Sequence, residues 1–206
     1  MSPRNLFIAA VAVIAIAIGT WLSINVASTP PSPPQPNVAT LLPGGNEMPA
    51  FSLLDHTGAS IDQTVFSGSW DLVFFGFTHC PDVCPLTLQV LAAAKQQLAD
   101  NGFQPLPRIV LVSVDPERDT PEQMSQYVAY FGEGNLGITG ELDEITRLAK
   151  GLGIWFEKSG EGEDYSVDHS AAVLAIDPSG QLRAVFSSPH TVGNFVHDLP
   201  IVVSRQ

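Results

Sequence analysis

Cysteine is nearly absent: Cys80 and Cys84 are the only two in 206 residues. One pair cannot build the disulfide framework of a small secreted domain, so these thiols are read as a local device and not as a scaffold. Basic residues are scarce too, nine Lys and Arg against 21 Asp and Glu, for a net charge of −12. Phosphate binding needs a basic face, which argues against nucleic acid as a partner; the acidic surplus itself requires no more than solubility. No acid precedes Glu47, and no internal repeat is present. An Arg- and Ser-rich amphipathic leader of the organelle-import kind is also missing, which points to a bacterial membrane.

What the N-terminal part does contain is an apolar run from Leu6 to Ala27 without a charge. At 22 residues it is long enough to span a bilayer, which needs about 20. It is too long for the core of a cleaved signal peptide, and Asn25-Val26-Ala27 is a poor cleavage site. Arg4 on the short side favours a cytoplasmic N-terminus, with Trp21 as an interfacial anchor and the remainder outside. Ser28 to Thr40 carries Pro30, Pro31, Pro33, Pro34 and Pro36, an extended spacer. The expected division is an anchor at 1–28, a proline-rich linker at 29–40 and one folded domain at 41–206.

Within that domain the sequence predicts a strand, turn and strand from Phe51 to Ile61, then a buried strand over Leu72–Phe77. A helix from Leu86 to about Asp100 follows, with Leu88, Leu91, Ala94 and Leu98 on one face. Arg108–Val114 reads as another strand. Thr120-Pro121-Glu122-Gln123 is a helix start with a capping residue, and Met124, Tyr127, Val128 and Phe131 recur at helical spacing behind it. Leu142–Leu152 is a third helix, Ile154–Val167 a loop or hairpin, and Ala171–Phe186 a hairpin turning at Asp177-Pro178-Ser179-Gly180. A final helix is expected over Thr191–Val203, weakened by Pro200. This order, strands alternating with helices, is that of an α/β domain with a central sheet flanked by helices.

The two cysteines stand in Thr78-His79-Cys80-Pro81-Asp82-Val83-Cys84-Pro85, where the Leu72–Phe77 strand ends and the helix begins. A spacing of four places two side chains one helical turn apart, and the unpaired N–H groups of a helix start favour a thiolate. Three uses compete: a structural disulfide, a redox dithiol, or two ligands for a soft metal. The closed loop is so short that a disulfide would gain little from chain entropy.

This stretch resembles the signature of the Sco/SenC proteins, membrane-anchored copper-handling proteins with a thioredoxin-like fold. Two further matches follow in order, Val-Asp-Pro-Glu-Arg-Asp-Thr-Pro at 114–121 and Val-Asp-His-Ser at 167–170. Much of the first of these also reads as turn and helix cap. The resemblance covers about Leu41 to the C-terminus. It implies a thioredoxin-like core with an N-terminal hairpin extension, and copper held by Cys80, Cys84 and His169. Spacing by itself does not choose among His56, His79, His169, His190 and His197; the match at Val167–Ser170 does. Soft thiolates suit copper(I) and imidazole suits both copper states, although two thiolates and an imidazole also suit zinc. His79 is read as local packing or a redox tuner, Asp82 as an exposed loop acid, and Asp168 as either an orienting group for His169 or a surface acid.

The resemblance implies a metallochaperone that helps assemble the dinuclear copper centre of cytochrome c oxidase. Its partners would be the copper-bearing oxidase subunit, and other copper carriers or thioredoxin-like reductases. It would be a single-pass protein of the bacterial inner membrane with its domain facing the periplasm or cell exterior. The rival reading is a thiol–disulfide oxidoreductase that keeps the acceptor's cysteines reduced, a role with no need of His169. A peroxidase and a redox or copper sensor are further alternatives.

Overall fold

The computed structural model describes residues 2–27, 33–160, 162 and 165–205. The chain divides into two units, Met1–Pro34 and Gln35–Gln206. The first holds helix α1 (Pro3–Ala27), whose 25 residues include no acid. At 1.5 Å per residue such a helix is about 37 Å long, more than the roughly 30 Å of a bilayer's hydrocarbon core. Two of its polar side chains bond to its own backbone. Thr20 Oγ1 donates to the carbonyls of Ile16 (2.9 Å) and Ala17 (3.0 Å), and Asn25 Nδ2 donates to Trp21 O (2.9 Å). That is how a helix without water keeps its polar groups satisfied.

The second unit runs β1 (Ala39–Glu47), β2 (Leu53–Asp55), β3 (Ser60–Ile61), β4 (Asp71–Gly76), α2 (Val83–Asp100), β5 (Arg108–Ser113), α3 (Pro121–Tyr130), β6 (Leu136–Thr139), α4 (Leu142–Gly151), β7 (Phe156–Ser159), β8 (Ser166–His169), β9 (Val173–Ile176), β10 (Gln181–Phe186) and α5 (Val192–Ser204). Eight strands form one mixed sheet in the order β1-β10-β9-β4-β5-β6-β2-β3, while β7 and β8 pair as a separate hairpin. β4 is parallel to β5 and antiparallel to β9, and β5 is parallel to β6. β4 therefore sits at the centre with every residue buried. A strand covered on both faces reads as a continuous apolar run, which is why Leu72-Val73-Phe74-Phe75 shows no alternation. Its one charged residue, Asp71, is fully buried and paired with Arg108 at 2.7 and 3.0 Å.

This is the expected α/β class, with three local differences. β1 and β6 have no counterpart in the sequence reading. β1 contains Pro43, Gly44 and Gly45, and both glycines take positive φ (83° and 69°) where the register with β10 shifts. A bulged edge strand tolerates proline and glycine in this way but loses the alternating pattern that would announce it. β6 has only four residues, all buried, so periodicity has nothing to repeat. The linker boundary also moves. Ala39 and Thr40, grouped by composition with the spacer, pair with Phe186 and Val185 of β10. The N–H groups of Asn37, Val38 and Ala39 all donate to the Asp198 carboxylate, at 2.7, 2.9 and 2.9 Å. Finally, α2 begins at Val83 and not at Leu86, and α5 continues through Pro200. Burial of Phe195, Leu199, Ile201 and Val202 along one side outweighs the hydrogen bond that Pro200 cannot make.

Candidate metal centre

Three elements deliver one side chain each to a single spot. Cys80 lies in the loop that leaves β4, Cys84 in the first turn of α2, and His169 at the end of β8. Their ligand atoms, two Sγ and one imidazole nitrogen, all lie within 4.8 Å of one another. Cys84 N–H donates to Cys80 Sγ at 3.4 Å, and Cys84 Sγ is 3.4 Å from His169 Nε2. Cys84 is wholly buried, whereas Cys80 and His169 are partly exposed. The site thus has an inner sulfur and an outer one.

The ring of His169 is fixed from two directions. Phe74 and Phe77 stand edge-on to it, with centroids at 5.6 and 6.1 Å. Nδ1 is 3.1 Å from Ser170 O, a carbonyl that can only accept. Nδ1 therefore carries the proton and Nε2 presents its lone pair toward the sulfurs, the arrangement usual for a ligating histidine. Burial pushes the His169 pKa down, only partly opposed by the Ser170 carbonyl and by Asp168, so the neutral ring is favoured. Asp168 is exposed and acts on the ring through its charge; the orienting hydrogen bond comes from Ser170.

At Cys84 the balance differs from the sequence expectation. Burial pushes its thiol far up, with a smaller contribution from Cys80 and Asp119, and a backbone bond from Phe77 opposes this only in part. Desolvation outweighs the helix start. A bound cation would supply the charge that lost hydration does not, and would favour the thiolate where burial favours the thiol.

The support around the site was largely invisible in the sequence. Gly76 closes β4 beneath Cys84: a Cβ there would lie 2.9 Å from Cys84 Sγ and 2.9 Å from Phe74 Cε1. Asp119, fully buried, accepts from Thr78 N–H (3.2 Å), Thr78 Oγ1 (2.6 Å) and Ser113 Oγ (2.7 Å), which fixes the loop two residues before Cys80. Burial raises its pKa, with those donors opposing. Asp115 binds Arg118 and accepts from Tyr165 Oη at 2.6 Å. Arg118 in turn donates to Tyr165 O (3.2 Å) and lies over the rings of Tyr165 and Phe77. The 114–121 motif thus does more than start a helix: it ties the cysteine loop to the hairpin that carries His169. Thr120 does cap α3, accepting from Gln123 N–H at 3.3 Å.

The remaining histidines do not join the cluster. His79 is exposed, with Nδ1 3.1 Å from Thr78 Oγ1. His56 and His190 are partly buried: Gly137 N–H donates to His56 Nδ1 (3.2 Å), and His190 Nε2 donates to Ala171 O (2.5 Å). His197 is exposed and lies 2.7 Å from Asp198. Asp82 is exposed, as expected, and its side chain makes no capping bond to α2.

Comparison with known proteins places this arrangement. The chain is 36% identical over 167 residues to a putative copper-binding protein of Stutzerimonas stutzeri, covering 81% of each. Mitochondrial relatives are longer, and the matched stretch makes up 50% to 59% of them. Among solved structures, Arabidopsis thaliana ScoI with copper bound superposes with a TM-score of 0.73 at 33% identity, covering 77% of this chain and 98% of that one. BsSco, described as a member of the Sco family of cytochrome c oxidase assembly proteins with a disulfide switch, superposes with a TM-score of 0.64 over 84% of this chain and all of that one; at 23% identity this likeness speaks for the fold. The SCO1/SenC family model matches residues 40–203. With its thioredoxin-like α/β domain and three motifs in order, this chain belongs to the SCO1/SenC family.

Proposed function

We propose that this protein is a membrane-tethered copper carrier that holds its cargo on Cys80 Sγ, Cys84 Sγ and His169 Nε2 and passes it to the copper-bearing subunit of cytochrome c oxidase. The observation that carries the reading is the convergence of two sulfurs and one imidazole, with Nδ1 of that imidazole turned to a backbone carbonyl so that Nε2 faces the sulfurs. A redox dithiol has no use for the third group. Zinc would accept the same donors; the copper-bound relative favours copper. The oxidase as destination is supported by the description of BsSco as a member of a family of cytochrome c oxidase assembly proteins. Helix α1 would anchor the protein in a bacterial inner membrane, with the domain on the periplasmic side.

Burial suggests how the cargo leaves. Cys84 is the enclosed group of the site, and Cys80 and His169 are partly exposed. Transfer proceeds by ligand exchange: an acceptor thiolate bonds to copper as Cys80 leaves, and the ion never becomes free. The second reading, thiol–disulfide exchange, is favoured by the closeness of the two sulfurs. Its attacking group would be Cys80, because burial keeps Cys84 protonated.

One substitution separates the two. His169→Ala leaves both thiols in place. In the carrier reading, anaerobic titration of the detergent-solubilised protein should show weaker copper binding, copper(II) above all, with lost oxidase assembly and retained disulfide reduction. Cys80→Ser and Cys84→Ser should abolish both activities. Unaltered binding of both copper states by His169→Ala, with assembly intact, would favour the reductase.

A further inference from the structure

Beside the cysteine loop runs a groove of about 420 Å³. Thr78, His79 and Pro85 line one side of it, and Gln126, Tyr127 and Tyr130 of α3 line the other. The groove is continuous with the site, since His79 adjoins Cys80 and Pro85 adjoins Cys84. From Gln123 to Tyr130 the wall of α3 extends about 10 Å, enough for about three residues of extended chain.

Two features of the groove call for an occupant. Tyr130 is 79% exposed, although it packs edge-on against Phe131 (5.3 Å) at the margin of an aromatic group that includes Tyr127. A large aromatic left in water beside a functional site is the composition of an interaction surface. Last, although the chain carries 21 acids and a net charge of −12, none of the lining residues is acidic. An acid-free track does not oppose the negative charge that an acceptor's thiols take on as they ionise at the ion.

Building on the carrier reading, we propose that this groove docks an extended, cysteine-bearing segment of the copper-accepting protein and presents its thiolates to the outer, Cys80 side of the site. The side-chain amides of Gln123 and Gln126 offer hydrogen bonds to the segment's backbone, and Tyr130 covers it. Copper keeps its oxidation state. As an acceptor thiol releases its proton and bonds to the ion, Cys80 leaves as thiolate and takes up a proton from water.

The test compares two acceptors for copper from the loaded full chain in detergent: the reduced soluble copper-bearing domain of the oxidase subunit, and glutathione, which needs no groove. The variants are Tyr130→Ala, which removes the exposed ring, and Gln126→Glu, which places an acid on the track. Both sites are exposed, so the fold and the metal ligands stay intact. Transfer to the oxidase domain should slow about tenfold, the effect of losing one interface anchor, while transfer to glutathione stays within about twofold. A wild type that delivers copper, with variants that match it on the oxidase domain or slow equally on both acceptors, would overturn the groove and leave the carrier reading standing. A wild type that delivers to neither acceptor would defeat the carrier reading, and the groove with it.

Discussion

A methyl group on Gly76 would stand 2.9 Å from Cys84 Sγ and 2.9 Å from Phe74 Cε1, in a part of the core with no slack. The backbone φ is not positive here, so glycine is required for the close approach of sulfur and not for the turn. Gly76→Ala should displace Cys84 away from His169 Nε2, now 3.4 Å distant. The expected result is a loss of stability of about 1–3 kcal/mol, typical of overpacking, with copper affinity falling at least tenfold in a competition titration. Unchanged affinity would show that the sulfur reaches the metal from another position. The same reasoning sets the roles of Cys80 and Cys84 apart. Equal in the sequence, they differ in burial: Cys84 is enclosed and Cys80 partly exposed, the difference on which the proposed exchange at Cys80 rests.

At the scale of elements, two buried carboxylates do the fastening. Asp119 joins β5, α3 and the cysteine loop, receiving hydroxyls from Ser113 and Thr78. Asp198 on α5 gathers three successive N–H groups ahead of and within β1, and so secures the edge strand to the last helix. Burial alone would raise the Asp198 pKa; the His197 imidazole and those three amides outweigh it and hold the carboxyl below its ordinary value. A folded-state pKa below the unfolded one adds stability that is fully present above the unfolded value, near 4, and is lost as pH falls through the folded value. Asp198→Asn should therefore cost about 2–3 kcal/mol at pH 7, where the charged acceptor is replaced by a neutral one. The gap to wild type should narrow below about pH 4. Urea unfolding at both pH values would check this, and a gap independent of pH would mean that the hydrogen-bond geometry, not the charge, carries the effect.

For the whole molecule the question is where the domain works. α1 is apolar and charge-free from Asn5 onward, and its Thr20 and Asn25 side chains bond to its own backbone. Such a helix loses by leaving hydrocarbon. The protein should remain with the membrane fraction after an alkaline wash, with its N-terminus intact. A mature chain starting near Ser28 would identify the segment as a cleaved leader. Tethering by α1 would confine a carrier to the same membrane as its proposed acceptor and raise the local concentration of each for the other.

Pattern was legible wherever it is local. The Leu72–Phe77 run, the helical faces of α2 and α4, the Thr120 cap and the apolar helix α1 all follow from side-chain periodicity, capping chemistry and length, which neighbours in sequence decide. The dithiol at a strand-to-helix junction was also plain in Thr78–Pro85. What needed the fold was everything that depends on residues far apart in the chain. His169 reaches Cys84 across 85 positions because β8 ends beside the start of α2. The thiol of Cys84 is suppressed by its surroundings, and burial belongs to the packed domain and not to the motif. β1 and β6 escaped notice because an edge strand with a bulge and a four-residue buried strand are held by their partners and not by their own pattern. The sequence by itself thus determined which groups could do chemistry; tertiary structure decided which of them meet, because convergence is a property of chain path and burial a property of packing.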